Sequence, residues 1–164
     1  MTYPTNVTYG KGFEVEKPKS MRARVEALEA SMLCLKQVDC PVRHFFAPGL
    51  YAREMSIPAG TVVTGAVHKT ENLIVVSKGR LQIVTQDGTR EVTAGDTLVC
   101  KVGMENAVVA LEDSRWTNFM ANPTNETDTD KLVEMFVEAK ASQLLGGSDN
   151  VQLLAQAELK KVQA

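Results

Sequence analysis

GTVVTGAVHKTENLIVVSKG (residues 60–79), followed fifteen residues later by GDTLVCKVGMENAVVA (residues 95–110), is the stretch on which the fold turns. Short runs of Val, Ile, Leu and Thr recur in it, stopped each time by a glycine: Gly60, Gly79, Gly95 and Gly103. The same texture runs over residues 42–119, with turn signals at Pro48-Gly49, Pro58-Ala59-Gly60, Lys78-Gly79, Asp87-Gly88, Ala94-Gly95, Val102-Gly103 and Glu112-Asp113. β-Branched runs at such even spacing, with no helical period between them, predict an antiparallel sandwich or barrel. Asp87-Gly88, lying between residues 81–85 and 90–92, predicts a hairpin with a type I′ turn, which needs positive φ at both central residues.

Helical signals flank this region. Residues 1–19, rich in Thr, Gly, Lys and Pro, show no sustained period and read as an extended arm. Ser20 suits an N-cap, and Val25, Leu28, Met32 and Leu35 follow at helical spacing, predicting a helix of roughly five turns over residues 20–39. Its stripe serves either packing on its own domain or a short intersubunit coiled coil. After the barrel, Thr127-Asp128-Thr129-Asp130 caps a segment whose Leu132, Val133, Met135, Phe136 and Ala139 form one apolar face, with Gly146-Gly147 ending it or the loop beyond. Residues 149–163 carry a further helical period (Val151, Leu154, Ala155, Leu159, Val162). The expected organisation is an arm (1–19), a helix (20–39), a β-barrel (40–122) and a C-terminal helical segment (123–164).

Composition narrows the function. The 164 residues suit one domain, and 18 Lys+Arg against 20 Asp+Glu leave a net charge of −2, so electrostatics favours neither nucleic acid nor a membrane surface as partner. No apolar run has the length of a membrane span or the form of a signal peptide. Three cysteines without paired spacing fit a reducing compartment, and the expected location is the cytoplasm. With two histidines, no CxxC and no His pair at i,i+4, a zinc site of the usual spacing is not expected.

The glycine framework has a second property. Gly60, five residues, Ala66, one residue, His68, three residues, Asn72, six residues, Gly79; then Gly95, five residues, Lys101, one residue, Gly103, two residues, Asn106, three residues, Ala110: this resembles the two sequence motifs of the cupin family in register. The resemblance spans about half the chain and implies a mainly β, double-stranded β-helix barrel. More narrowly, residues 42–49 (VRHFFAPG), His68-Lys69-Thr70-Glu71 and Trp116-Thr117 look like cupin-like accessory proteins of tailed phages and prophages. Cupins often hold a metal with histidines at the positions matching 66, 68 and 106 and a glutamate at 72. Here those positions hold Ala66, His68, Asn106 and Asn72. Alanine cannot ligate and neutral amides are weak ligands for transition metals, so neither a metal nor another cofactor is expected.

Ala66, His68, Thr70 and Asn72 share one parity, so on a single strand they project from one face. The candidate ligand-binding residues are therefore His68, Thr70, Asn72 and Asn106, whose imidazole, hydroxyl and carboxamides suit a polar small molecule. The alternative is that they satisfy one another in a vestigial pocket. Glu71 beside His68 forms an acid–base pair only through a bulge. His44 reads as a packed, hydrogen-bonded histidine, Cys100 and Trp116 as core, and Cys34 and Cys40 as thiols rather than a redox pair. Arg43, Arg53, Arg80, Arg90 and Arg115 read as solvated surface; convergence of several would offer a bidentate anion site. No P-loop, nucleophile elbow or GxGxxG motif is present.

Three functions are compatible with these residues. The first is a non-catalytic accessory or virion component that self-assembles as a homo-oligomer or binds a phage or host protein through its appendages. The second is a small-molecule binder using the barrel pocket, and the third a metal-dependent cupin enzyme, against which the ligand substitutions argue.

Overall fold

The computed structural model describes residues 20–138. Nine strands form two antiparallel sheets: β1 (Val42–Ala47), β2 (Gly49–Ile57), β3 (Val62–Thr64), β4 (Asn72–Lys78), β5 (Arg80–Thr85), β6 (Gly88–Thr93), β7 (Thr97–Cys100), β8 (Ala107–Ala110) and β9 (Ser114–Asn122). The first sheet has the order β1-β2-β9-β4-β7 and the second β3-β8-β5-β6. From β2 onward the chain passes from one sheet to the other at every step except the β5–β6 hairpin. The resulting pair of four-strand sets, β2-β9-β4-β7 facing β3-β8-β5-β6, is the double-stranded β-helix expected from the sequence, with β1 added at one edge.

Side-chain alternation builds the interior. From the first sheet Met55, Ile57, Ile74, Val76, Leu98, Cys100 and Trp116 enter the core, and from the second Val63, Leu81, Ile83, Val92, Val108 and Ala110 meet them. Intervening residues such as Leu73 and Val99 face outward. Gly79 shows why glycine sits at a corner: its φ is +79°, and a Cβ there would collide with the Asp113 carbonyl and Ser114.

The observed elements differ from the sequence expectation in three places. The β5–β6 hairpin forms, but its connecting pair is Gln86-Asp87, with Thr85 opposite Gly88. Only Gly88 takes positive φ (117°), so a type I′ turn, which needs two such residues, is not what closes it. The first helix, α1 (Met21–Met32), begins at Ser20, whose hydroxyl accepts from the Ala23 amide, but stops earlier than the apolar stripe implies. The side chain of Gln37 folds back to donate to the carbonyls of Met32 and Leu35, which satisfies groups left open at a helix end. Third, residues 65–71 are not a regular strand. The chain crosses there from the second sheet to the first, and its backbone bonds go elsewhere: Lys69 donates to Phe136, Glu138 to Val67 and Gly103 to His68.

α1 is linked to its own barrel through the Arg22–Glu105 ion pair. Val25 is buried, and Arg22 pairs with Glu26 (3.5 Å), Glu105 (3.6 Å) and Glu138 (3.2 Å). The second helix, α2 (Thr129–Phe136), is capped by Asp128, which accepts from the Asp130 and Lys131 amides. It buries Leu132 and Phe136 in a small cluster with Tyr51 and Met120, while Val133 and Met135 stay exposed. Ala139, Gly146-Gly147 and the helical period of residues 149–163 lie outside the described residues, as does the arm of residues 1–19.

Candidate functional site

One end of the barrel interior is hollow. A cavity of about 180 Å³ lies between the inner face of the first sheet, the β3 end of the second sheet and α2. Cross-strand register explains its polar floor. On the inner face of the first sheet His44 lies opposite Arg53, Arg53 opposite Asn118, and Asn118 opposite Ile74, a row of adjacent residues across four strands. The next row holds Val42, Met55 and Trp116, and on the other side Tyr51 pairs with Met120. Neighbours in such rows stand about 5 Å apart, so Arg53 is set between an imidazole and a carboxamide.

Aromatic stacking supports the mouth. Tyr51 stacks on Phe46, His44 and Phe136, with ring centroids 5.4, 5.9 and 6.0 Å away, and its hydroxyl is 2.8 Å from His44 Nδ1. Phe136 thereby ties α2 to the sheet, and the isolated bridge from His68 to Val137 ties the end of α2 to residues 65–71. The helix closes the cavity from above, lining it with Leu132, Val133 and Phe136.

The four sequence candidates part company here. His68 and Asn106 both line the cavity. Asn72 is buried beside it, with its Oδ1 accepting a 2.8 Å bond from Asn118 Nδ2, so it acts by holding Asn118. Thr70 is exposed and away from the cavity, because the bend after His68 removes the strand parity that would have aligned it. Asn106 is held against Gly65: a Cβ at that glycine would fall 2.5 Å from Asn106 Oδ1. Only a residue without a side chain leaves this space.

Electrostatics separates the groups further. Burial, helped by the positive charge of Arg53, lowers the His68 pKa from 6.5 to about 4, so the imidazole is neutral near pH 7. Burial also lowers Arg53 and raises the Tyr51 phenol and the Cys100 thiol. Among the described residues, His68 Nδ1, Asn106 Oδ1 and Trp116 Nε1 have no hydrogen-bond partner; their residues line the cavity, but these atoms are themselves sealed from its open space.

Sequence reasoning left Arg53 on the surface and did not single out Asn118. Both were detectable by alternation, since Tyr51, Arg53, Met55 and Ile57 share a strand face, as do Trp116, Asn118 and Met120. Arg43 and Arg115 do converge, but on the buried carboxylate of Glu54 at the outer face, where Arg43 donates to it directly and Arg115 lies 3.7 Å away. Arg80 pairs with Glu91 and Glu112, both at 3.3 Å. Cys40 belongs to the core and Cys34 is exposed.

The positions that hold a metal in cupins do not fit one here. Ala66 has no donor atom and the Asn72 oxygen is engaged by Asn118. Among the described residues no three His, Cys, Asp or Glu side chains are grouped as a metal would require. Also among them, no helix is long and apolar enough to cross a membrane.

The sequence matches no protein-family model and no curated protein. Solved structures do resemble the chain. KdgF from Halomonas sp. is 19% identical, with 58% of this chain and 88% of that one covered and a TM-score of 0.47. A cupin-2 domain protein from Shewanella frigidimarina is 18% identical (63% and 100% covered, TM-score 0.44), and a cupin domain from Bordetella pertussis is also 18% identical (54% and 98%, TM-score 0.43). The strand order carries the fold independently of these likenesses: the chain is a mainly β protein with a cupin-like barrel, and the solved structures it resembles include cupin-domain proteins.

Proposed function

We propose that this protein is a non-catalytic binder that holds a polar small molecule inside the barrel, beneath α2. The observation that carries this reading is a cavity of about 180 Å³ whose lining brings His68, Asn106 and Asn118 together within a largely apolar wall. A few polar groups converging in an apolar space are what fixes the orientation of a bound small molecule. The apolar remainder of the wall, with Met55, Met120, Ile74 and Leu132, would bury the guest's carbon surface. In this reading the protein works in a reducing, cytoplasmic setting.

Native mass spectrometry of freshly purified full-length protein tests the reading, together with thermal melts against a metabolite library. A co-purifying small molecule, or a compound that raises the melting temperature of wild type and not of Asn106→Leu, supports it. Absence of both removes it.

A second reading is self-assembly, as in an accessory or virion component of the phage type, and one observation favours it. Across the outer face of the first sheet, Phe45, Ala52, Phe119, Leu73 and Val99 lie in a single cross-strand row. Phe45, Leu73 and Val99 are 47%, 46% and 56% exposed. Five strands at about 4.8 Å spacing and about seven residues of length give a face of about 600 Å². That approaches the roughly 800 Å² each partner contributes to a standard interface, so the occupant in this reading is a second copy of the chain. Sedimentation equilibrium decides it: a concentration-dependent dimer that Leu73→Lys dissociates supports assembly, and a monomer at high micromolar concentration refutes it.

A further inference from the structure

The cavity reading above says that a guest binds; the charge and ring content of the wall say which chemical class. Among the described lining residues one guanidinium, Arg53, is offset by one carboxylate, Asp130, in the first turn of α2. Arg53 is already engaged within the fold, and His44 Nδ1 lies 2.8 Å from the Tyr51 hydroxyl. Burial keeps the His68 imidazole neutral near pH 7. The wall therefore holds no uncommitted charge for an ionic guest, which would give up its hydration without gaining an ion pair. The apolar part of the wall is rich in rings and sulfur: Tyr51, Trp116 and Phe136 with Met55 and Met120. Thioethers make favourable contacts with ring edges, and aromatic side chains pack on rings in offset or edge-to-face geometry. A volume of about 180 Å³, beside the roughly 150 Å³ that accommodates benzene, fits one ring with a small substituent.

We propose that the cavity binds a neutral one-ring aromatic bearing a hydroxyl, a phenol or an aromatic alcohol, with its ring among Met55, Met120, Trp116 and Phe136. The carboxamides of the wall select the hydroxyl. Asn118 donates from Nδ2 to Asn72 Oδ1 at 2.8 Å, so its own Oδ1 is the acceptor left for a guest. Asn106, whose Oδ1 is sealed, offers the cavity only the donors of its Nδ2. A hydroxyl donates to the first and accepts from the second; an ether only accepts, and a hydrocarbon does neither. A carboxylate or an ammonium of the same shape enters a wall whose charges are already balanced. This inference rests on the cavity reading and fails separately from it.

Calorimetric titration of the full chain tests it, with the emission of Trp116, the only tryptophan, as a reporter from the cavity wall. The probes are 4-methylphenol and benzyl alcohol, beside toluene, which lacks the hydroxyl, and benzoate and protonated benzylamine, which carry charge. At least one of the two hydroxyl compounds is expected to bind and to change the Trp116 emission over the same concentration range. The charged compounds are expected to bind at least about tenfold more weakly and toluene at least about threefold more weakly. Asn118→Leu is expected to abolish the preference for the hydroxyl compound over toluene, and Asn106→Leu to reduce it. Circular dichroism establishes that each variant is folded, and Asn106→Leu serves if Asn118→Leu is not. Benzoate, benzylamine or toluene binding as tightly as the hydroxyl compounds overturns the class and leaves the cavity reading intact. So does a hydroxyl preference that survives in both variants, binding that leaves the Trp116 emission unchanged, or a charged molecule that co-purifies while no probe binds. No binding by any probe, with no co-purifying molecule, overturns both.

Discussion

Replacing His68 by Gln should flatten the acid sensitivity of the fold. The imidazole titrates near 6.5 when solvated and at about 4 when folded, because burial and then the charge of Arg53 disfavour its protonated form. The folded state thus binds the proton more weakly than the unfolded state. Stability from this group is fully present above pH 6.5 and is lost as pH falls from there to about 4. A difference of this size is worth at most about 3 kcal/mol, and between pH 7 and pH 5 the loss is about 2 kcal/mol. Most carboxylates remain ionised over that interval, so it isolates the histidine range. Urea denaturation at both pH values gives the measurement: wild type should lose about 2 kcal/mol more than His68→Gln on acidification. Arg53→Met should fall between them, since removing the positive charge lets the His68 pKa rise. Equal losses for wild type and His68→Gln would refute the placement of a neutral imidazole in the cavity wall.

Other perturbations probe the remaining parts. Leu132→Ala, at a residue 1% exposed in the small cluster under α2, should cost about 2–4 kcal/mol and release the helix, read as lost amide-exchange protection over residues 129–138 ahead of the barrel. Gly65→Ala should displace the Asn106 side chain and cost about 1–3 kcal/mol by overpacking, visible as a lower melting temperature and weaker ligand binding. Asp128→Ala removes the α2 cap and should cost about 1 kcal/mol in the same melt.

The barrel was legible because local chemistry marks it. Gly49, Gly60, Gly79, Gly95 and Gly103 all take positive φ at the turns where the sequence places them, and the runs between them alternate inward and outward as β-strands must. Ser20 and Asp128 begin their helices for equally local reasons. The end of α1 was less legible, because what closes it is the side chain of Gln37 reaching back five residues.

The candidate site was only half legible. Its residue types were visible at His68 and Asn106, while Thr70 and Asn72 were aligned with them on the assumption of an unbroken strand. That assumption fails where the chain changes sheets, because the backbone of residues 67–69 pairs with residues 136–138, about seventy positions away. By itself, then, the sequence determined most of the strands and where the chain turns between them, which depend on residue chemistry at fixed short spacing, but not the type of the β5–β6 turn or the break at residues 65–71. Tertiary structure alone decided that Arg53 and Asn118 stand beside His44 in one polar row, that α2 roofs the cavity, and that Thr70 is left outside. Register between β1, β2 and β9 is a long-range property, and no local spacing encodes which side chains it brings face to face.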